Sequence, residues 1–327
     1  MMSDRSVRPA VSVAVVAICG ADHLMRCLAA LAVQNDAPAF ETVVAYDPSL
    51  QGMDEVARHY PEVRMSANQG QRTPLELASR ALQNSRGEVV LLTEDHCIPD
   101  ADWIRNLLGA LEDGCAAVGG VVQPDEQASA TDWAFYFVDF FRYADPVVDG
   151  PSPTLTVCNV AYRRLDLEKI DPSWKDFFHE TSVNDELRSH FGPLKLYAGA
   201  RVTMRRHVRF IDAVRERYAF GRLFGCTRMQ RTSQPLRLVY TLGAPLLPGL
   251  LLGRMVHKSL TDASLRTQLA RSILPLSAMV LAWSWGEWLG YLTRRRPEDL
   301  TVAREIPGPG IPGNDSRGEV TENQKKR

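Results

Sequence analysis

No two of the six cysteines (Cys19, Cys27, Cys97, Cys115, Cys158, Cys226) form a C-x-x-C pair. A zinc knuckle needs closely spaced ligand pairs and a disulfide scaffold needs cysteine density, so spacing alone predicts reduced thiols in a cytosolic compartment. Charge of one sign is also missing. With 38 Lys+Arg against 39 Asp+Glu the formal charge is −1, and nothing global points to a nucleic acid partner. Met1 to Ala10 carries three charges and no apolar run, so no secretory signal is expected and the domain that follows is expected to stay inside the cell. A Gly-rich loop with Lys or Arg after the first strand, which a nucleotidyltransferase would need, is absent from Cys19 to His23.

What is present is an alternation of apolar runs. Val11 to Ile18 is a continuous run rich in β-branched residues, the pattern of a strand buried on both faces. Glu41 to Tyr46, Val63 to Met65 and Glu88 to Thr93 read as further strands. Helical patterns separate them, the longest over Thr73 to Ser85. This alternation predicts an α/β fold, a mostly parallel open sheet with flanking helices. Ligands of such sheets bind beyond the carboxyl ends of the strands, which directs attention to Asp47, the Asn68-Gln69-Gly70 turn and Glu94-Asp95-His96. Later come a strand over Ala116 to Val122, an aromatic helix over Trp133 to Tyr143, an acidic helix over Glu180 to His190 and a strand at Leu194 to Ala198.

Composition shifts near residue 235. Arg254 is the only charge from Leu238 to Val256, and Glu287 the only one from Ser272 to Leu292. Both runs approach the roughly 20 residues of a spanning helix, with Pro245, Pro248 and Pro275 interrupting them. The expected layout is a nucleotide-sugar domain over 1–235, a membrane-associated helical hairpin over 236–296 and a disordered, Pro- and Gly-rich tail over 297–327. Helices lying in the interface or packing on the domain are the alternative to a spanning pair.

Two carboxylates and an imidazole at the end of an apolar strand could hold a divalent ion such as Mg²⁺ or Mn²⁺, which places Glu94, Asp95 and His96 as candidate ligands. Their neighbours carry a resemblance. Asp47 ending a strand, Asn68 and Gly70 in a turn, Gly87-Glu88 opening an apolar strand, the acidic triplet, Pro99 and Trp103 together resemble family-2 glycosyltransferases of the GT-A fold. Cys158-Asn159-Val160-Ala161-Tyr162-Arg163-Arg164 resembles a second segment of these enzymes, and His179-Glu180-Thr181 stands where they carry an acidic pair. The resemblance spans about Val11 to Arg228.

It implies a nucleotide-diphosphate sugar donor contacted by Asp47, Asn68 and Glu94, with Arg163, Arg164 and Arg222 toward the diphosphate. It implies metal ligation at Glu94-Asp95-His96 in place of D-x-D, catalytic roles for Asp95 and Glu180 (the latter as base), and inversion at the anomeric carbon. Asp185 and Glu186 are alternatives to Glu180 in a shifted register. The departures at Glu94, His96 and Thr181 also leave open a degenerate member that binds nucleotide sugar or a partner without turnover.

The rings from Trp133 to Tyr143 read as a core helix with some exposed faces, or else as an acceptor-binding or membrane-facing wall. Ten arginines between Arg201 and Arg237 read as a basic patch beside a membrane. That location fits a membrane lipid or lipid-linked or envelope acceptor, with the catalytic domain on the cytoplasmic side of the cell membrane.

Overall fold

The computed structural model describes residues 9–68, 73–111, 114–230, 232–297 and 300. Its first half alternates as the apolar pattern predicts: β1 (Val11–Ala17), α1 (Ala21–Ala32), β2 (Phe40–Tyr46), α2 (Met53–His59), β3 (Arg64–Ala67), α3 (Pro74–Asn84) and β4 (Val89–Glu94). There follow β5 (Cys97–Pro99), α4 (Trp103–Ala110), β6 (Ala117–Pro124), α5 (Ala130–Phe140), β7 (Gly150–Ser152), β8 (Val160–Arg163), α6 (Arg164–Lys169), α7 (Glu180–Phe191) and β9 (Leu194–Met204). Four helices close the described chain: α8 (Phe210–Gln230), α9 (Gln234–Gly243), α10 (Leu247–Ser259) and α11 (Ala263–Thr293).

The strands join in the order β3-β2-β1-β4-β8-β6-β9-β5, with β7 added against β9. β1 to β4, β6 and β9 share one direction, while β5, β7 and β8 oppose it. Every residue of β1 is buried, because helices cover both faces of the sheet. Gly87 lets β4 start hard against β1. Its N–H donates to Ser12 Oγ at 2.7 Å, and a Cβ there would lie 2.5 Å from the Ser12 nitrogen. Thr73 and Glu76 start α3 with a reciprocal capping box.

The two C-terminal apolar runs have different fates. Gln234–Ser259, which contains α9 and α10, is long and apolar enough to cross a bilayer, and only 6% of its most apolar window is buried. Leu238, Leu242 and Leu246 face outward. The second run does not pair with it as an exposed hairpin. It forms part of α11, which packs against α8 and α5 and buries Leu276, Met279 and Val280. The seam with α8 is made of glycine. A Cβ on Gly221 or Gly225 would lie 2.2 or 2.3 Å from the Trp283 or Glu287 carbonyl oxygen, and one on Gly286 or Gly290 would lie 2.1 or 2.4 Å from that of Tyr218 or Arg222. Small residues four apart on both helices let the backbones touch.

Candidate functional site

Strand register decides where the acidic triplet points. β4 runs beside β1 with Glu94 level with Val16, and the Asp95 N–H donates to the Val16 carbonyl at 2.9 Å. Asp95 thereby turns under the loop leaving β1. Its Oδ2 accepts the backbone N–H groups of Ile18, Cys19 and Gly20 at 2.9, 2.8 and 3.2 Å, and the residue has no exposed surface. This corrects the expectation of a catalytic Asp95 open to a ligand, since three backbone donors hold the carboxylate inside the turn. Glu94 and His96 turn the other way and line a cavity of about 780 Å³. His96 Nε2 lies 3.4 Å from Glu94 Oε2, and its Nδ1 lies 3.6 Å from Asp95 Oδ1 and from Cys19 Sγ.

Glu180 lines the same cavity. It opens α7, and its Oε2 accepts the Val157 N–H at 2.9 Å. Burial pushes its pKa up from 4.5 to about 7, the Val157 hydrogen bond opposes the rise, and the charges of Glu94 and Asp139 add to it. Burial raises Glu94 as well, against the pull of His96. Burial works against a charged His96, yet Cys97, Cys19 and Asp95 outweigh it and keep the ring's pKa well above the ordinary value. The alternatives to Glu180 face elsewhere: Asp185 pairs with Arg188 on the surface at 2.9 Å, and Glu186 accepts the Asp171 N–H at 2.8 Å.

Asp47 and Asn68 stand at the carboxyl ends of β2 and β3, joined through the Asn68 N–H to the Tyr46 carbonyl at 3.0 Å. They share the sheet edge with Glu94 but do not line the cavity. Gln69 and Gly70 of the same turn lie outside the described residues. Arg163 and Arg164 are at the wrong end for a diphosphate held at the triplet. β8 runs antiparallel to β4 and sets Arg163 opposite Val89, five residues before Glu94, so about 17 Å of strand intervenes. There Arg163 donates to the carbonyls of Cys115 and Leu111, and Arg164 to Gly87. Arg222 sits on α8 with its Nε buried, outside the cavity lining.

Arginines that the sequence placed in a basic surface patch do reach the cavity. Arg206 and Arg217 are 6% and 3% exposed. Arg206 pairs with Glu216 at 2.9 Å, Arg217 pairs with Glu216 at 2.7 Å and with Asp139, and both guanidinium groups lie over the Phe135 ring at 4.7 and 4.3 Å. The aromatic segment is core on one side, with Phe135, Tyr136 and Phe137 buried, and cavity wall through Phe140, Phe141 and Tyr143.

The cysteines also assemble in a way that spacing hides. Cys158 Sγ donates to Glu94 Oε2 at 3.3 Å. Single ligand atoms of His96, Cys97 and Cys158 lie within 4.8 Å of one another, as do those of Cys19, Asp95 and His96. A divalent ion at the triplet would meet Glu94 and His96 from the cavity side. Asp95 would act through the His96 ring.

Residues 12–171 match the profile of Glycosyl transferase family 2. No curated protein matches the chain. Among solved structures, the mannosyltransferase PcManGT from Pyrobaculum calidifontis, in complex with GDP-Man and Mn²⁺, is similar at 15% identity and a TM-score of 0.54, covering 86% of this chain and 88% of that one. Residues 1–349 of S. aureus TarS, in complex with UDP-GlcNAc, align at 13% identity with a TM-score of 0.48, covering 85% and 92%. The mixed sheet with flanking helices is of the GT-A type, and residues 12–171 match the family-2 glycosyltransferases.

Proposed function

We propose that the protein transfers a sugar from a nucleotide-diphosphate donor to a lipid-linked acceptor at a membrane surface, with inversion. The observation that carries this reading is the cavity shared by Glu94 and His96 on one wall and Glu180 on another. The donor's nucleoside is expected along the edge marked by Asp47 and Asn68, and its diphosphate at Glu94 and His96. A divalent cation there would neutralise charge on the departing diphosphate. Arg206 and Arg217 bring guanidinium groups into the same lining, held there by Glu216 and Asp139.

Glu180 takes the proton of the attacking acceptor group. A carboxylate with a pKa of about 7 suits that task near neutrality. The cavity continues to Leu246, just before α10, and to Leu247 and Leu250 on α10, where the outer face is apolar. That continuity supports an acceptor with a polar head at Glu180 and an apolar tail between α5 and α10. A donor panel assayed for transfer and hydrolysis, with the protein on lipid vesicles, tests the proposal. Product from no donor, while a nucleotide sugar still binds calorimetrically, would favour the non-catalytic alternative instead.

A further inference from the structure

Cysteine spacing argues against a thiol-rich metal centre, yet the fold builds the donor set of one. We infer that Glu94, His96, Cys97 and Cys158 form a site selective for a thiophilic divalent cation of the Zn²⁺ class over Mg²⁺ and Mn²⁺. The ligands come from three fixed places: the end of β4, the start of β5 and the turn before β8. His96, Cys97 and Cys158 offer one nitrogen and two sulfurs within 4.8 Å of each other. The Glu94 carboxylate is the fourth donor, 3.4 Å from His96 Nε2 and 3.3 Å from Cys158 Sγ. Zinc bond lengths of roughly 2.0–2.3 Å put tetrahedral donors about 3.3–3.8 Å apart. Glu94 already stands at that spacing from His96 and Cys158, and the other three donor atoms lie within 4.8 Å of one another.

Two further observations single out this set. Asp95 Oδ1 is buried, has no hydrogen-bond partner among the described residues, and faces His96 Nδ1 at 3.6 Å. A carboxylate behind one ring nitrogen orients the other toward a metal, and here the other nitrogen is the one beside Glu94. Sulfur donors also discriminate between ions. Mg²⁺ demands oxygen ligands in an octahedral shell, whereas mixed nitrogen and thiolate sets select zinc. Glu94, His96 and Cys158 line the cavity, which gives the ion its entry path, while Cys97 closes the set from the core.

The inference deepens the reading of the same site, so it is tested by binding and not by turnover. Full-length protein equilibrated with Zn²⁺, Mn²⁺ and Mg²⁺ together, then dialysed and measured by plasma mass spectrometry, should retain about one Zn²⁺ per chain, as expected of a closed mixed-ligand site. X-ray absorption at the zinc edge should show sulfur in the coordination shell of the unmutated protein, a result that needs no variant to fold. Cys97→Ser and Cys158→Ser should each weaken Zn²⁺ binding by roughly a hundredfold or more, beyond the 10–100-fold typical of supporting residues. Cys226→Ser, on α8, should not. Zinc retained at well below one per chain, a shell of oxygen and nitrogen only, or folded cysteine variants with unchanged affinity would each overturn it. Zinc bound without any transfer would count against the enzymatic proposal alone. Transfer with Mn²⁺ and no zinc binding would count against this inference alone.

Discussion

The fold holds Glu180 in the cavity at a cost to its own stability. In the unfolded chain its carboxyl titrates near 4.5, and in the cavity at about 7. The folded state therefore holds its proton where the unfolded state has released it. Below 4.5 there is no penalty; it grows as pH rises through the window and levels off above 7, at about 3 kcal/mol. Glu180→Gln should then raise Tm at pH 8 and leave it nearly unchanged at pH 4.5, as read by calorimetry. The same variant should lower kcat by at least ~10²-fold and abolish the rise of rate through about pH 7. Asp95→Asn should show a different pattern, a loss of roughly 1–3 kcal/mol in stability measured by denaturant unfolding, because the acceptor of three N–H groups is weakened. Sequence made the triplet legible as a cluster at a strand end. Which carboxylate faces the ligand depends on the pairing of β4 with β1, and no single-chain pattern encodes that pairing.

The elements raise a matter of direction and one of contact distance. Arg163 and Arg164 follow a recognisable segment, but their segment runs backward along β4, so sequence proximity to Cys158 becomes separation across the sheet. A reading that assumes mostly parallel strands places them wrongly for that reason. The α8–α11 seam was present in the sequence as glycines four apart, at 221 and 225 and at 286 and 290, although only their mutual contact gives the spacing meaning. Gly225→Ala and Gly286→Ala should each cost about 1–3 kcal/mol or more through overpacking. Gly249→Ala, on α10 with nothing within 4 Å of its new methyl group, should gain a few tenths to 1 kcal/mol from helix propensity. Thermal unfolding of the three variants side by side checks the contrast.

Across the whole molecule, the division expected near residue 235 is crossed by α11, which returns to α5 and α8. What projects is α9 with α10, and its outer leucines are the feature that meets lipid in the proposed function. Leu238→Glu, Leu242→Glu and Leu246→Glu combined should reduce sedimentation with anionic vesicles at least tenfold, since each buried leucine is worth roughly 1.5–3 kcal/mol. Donor hydrolysis in detergent should survive. Hydropathy could not separate the two apolar runs, because a helix buried by protein and one apolar enough to cross a bilayer have the same composition. The glycine seam carries a last consequence. Part of the cohesion there comes from peptide groups meeting directly, and that part does not depend on the release of ordered water. If detergent micelles surround the apolar face of α9 and α10, the wall formed by α8 and α11 should keep its shape, and the cavity that it borders should keep its outline.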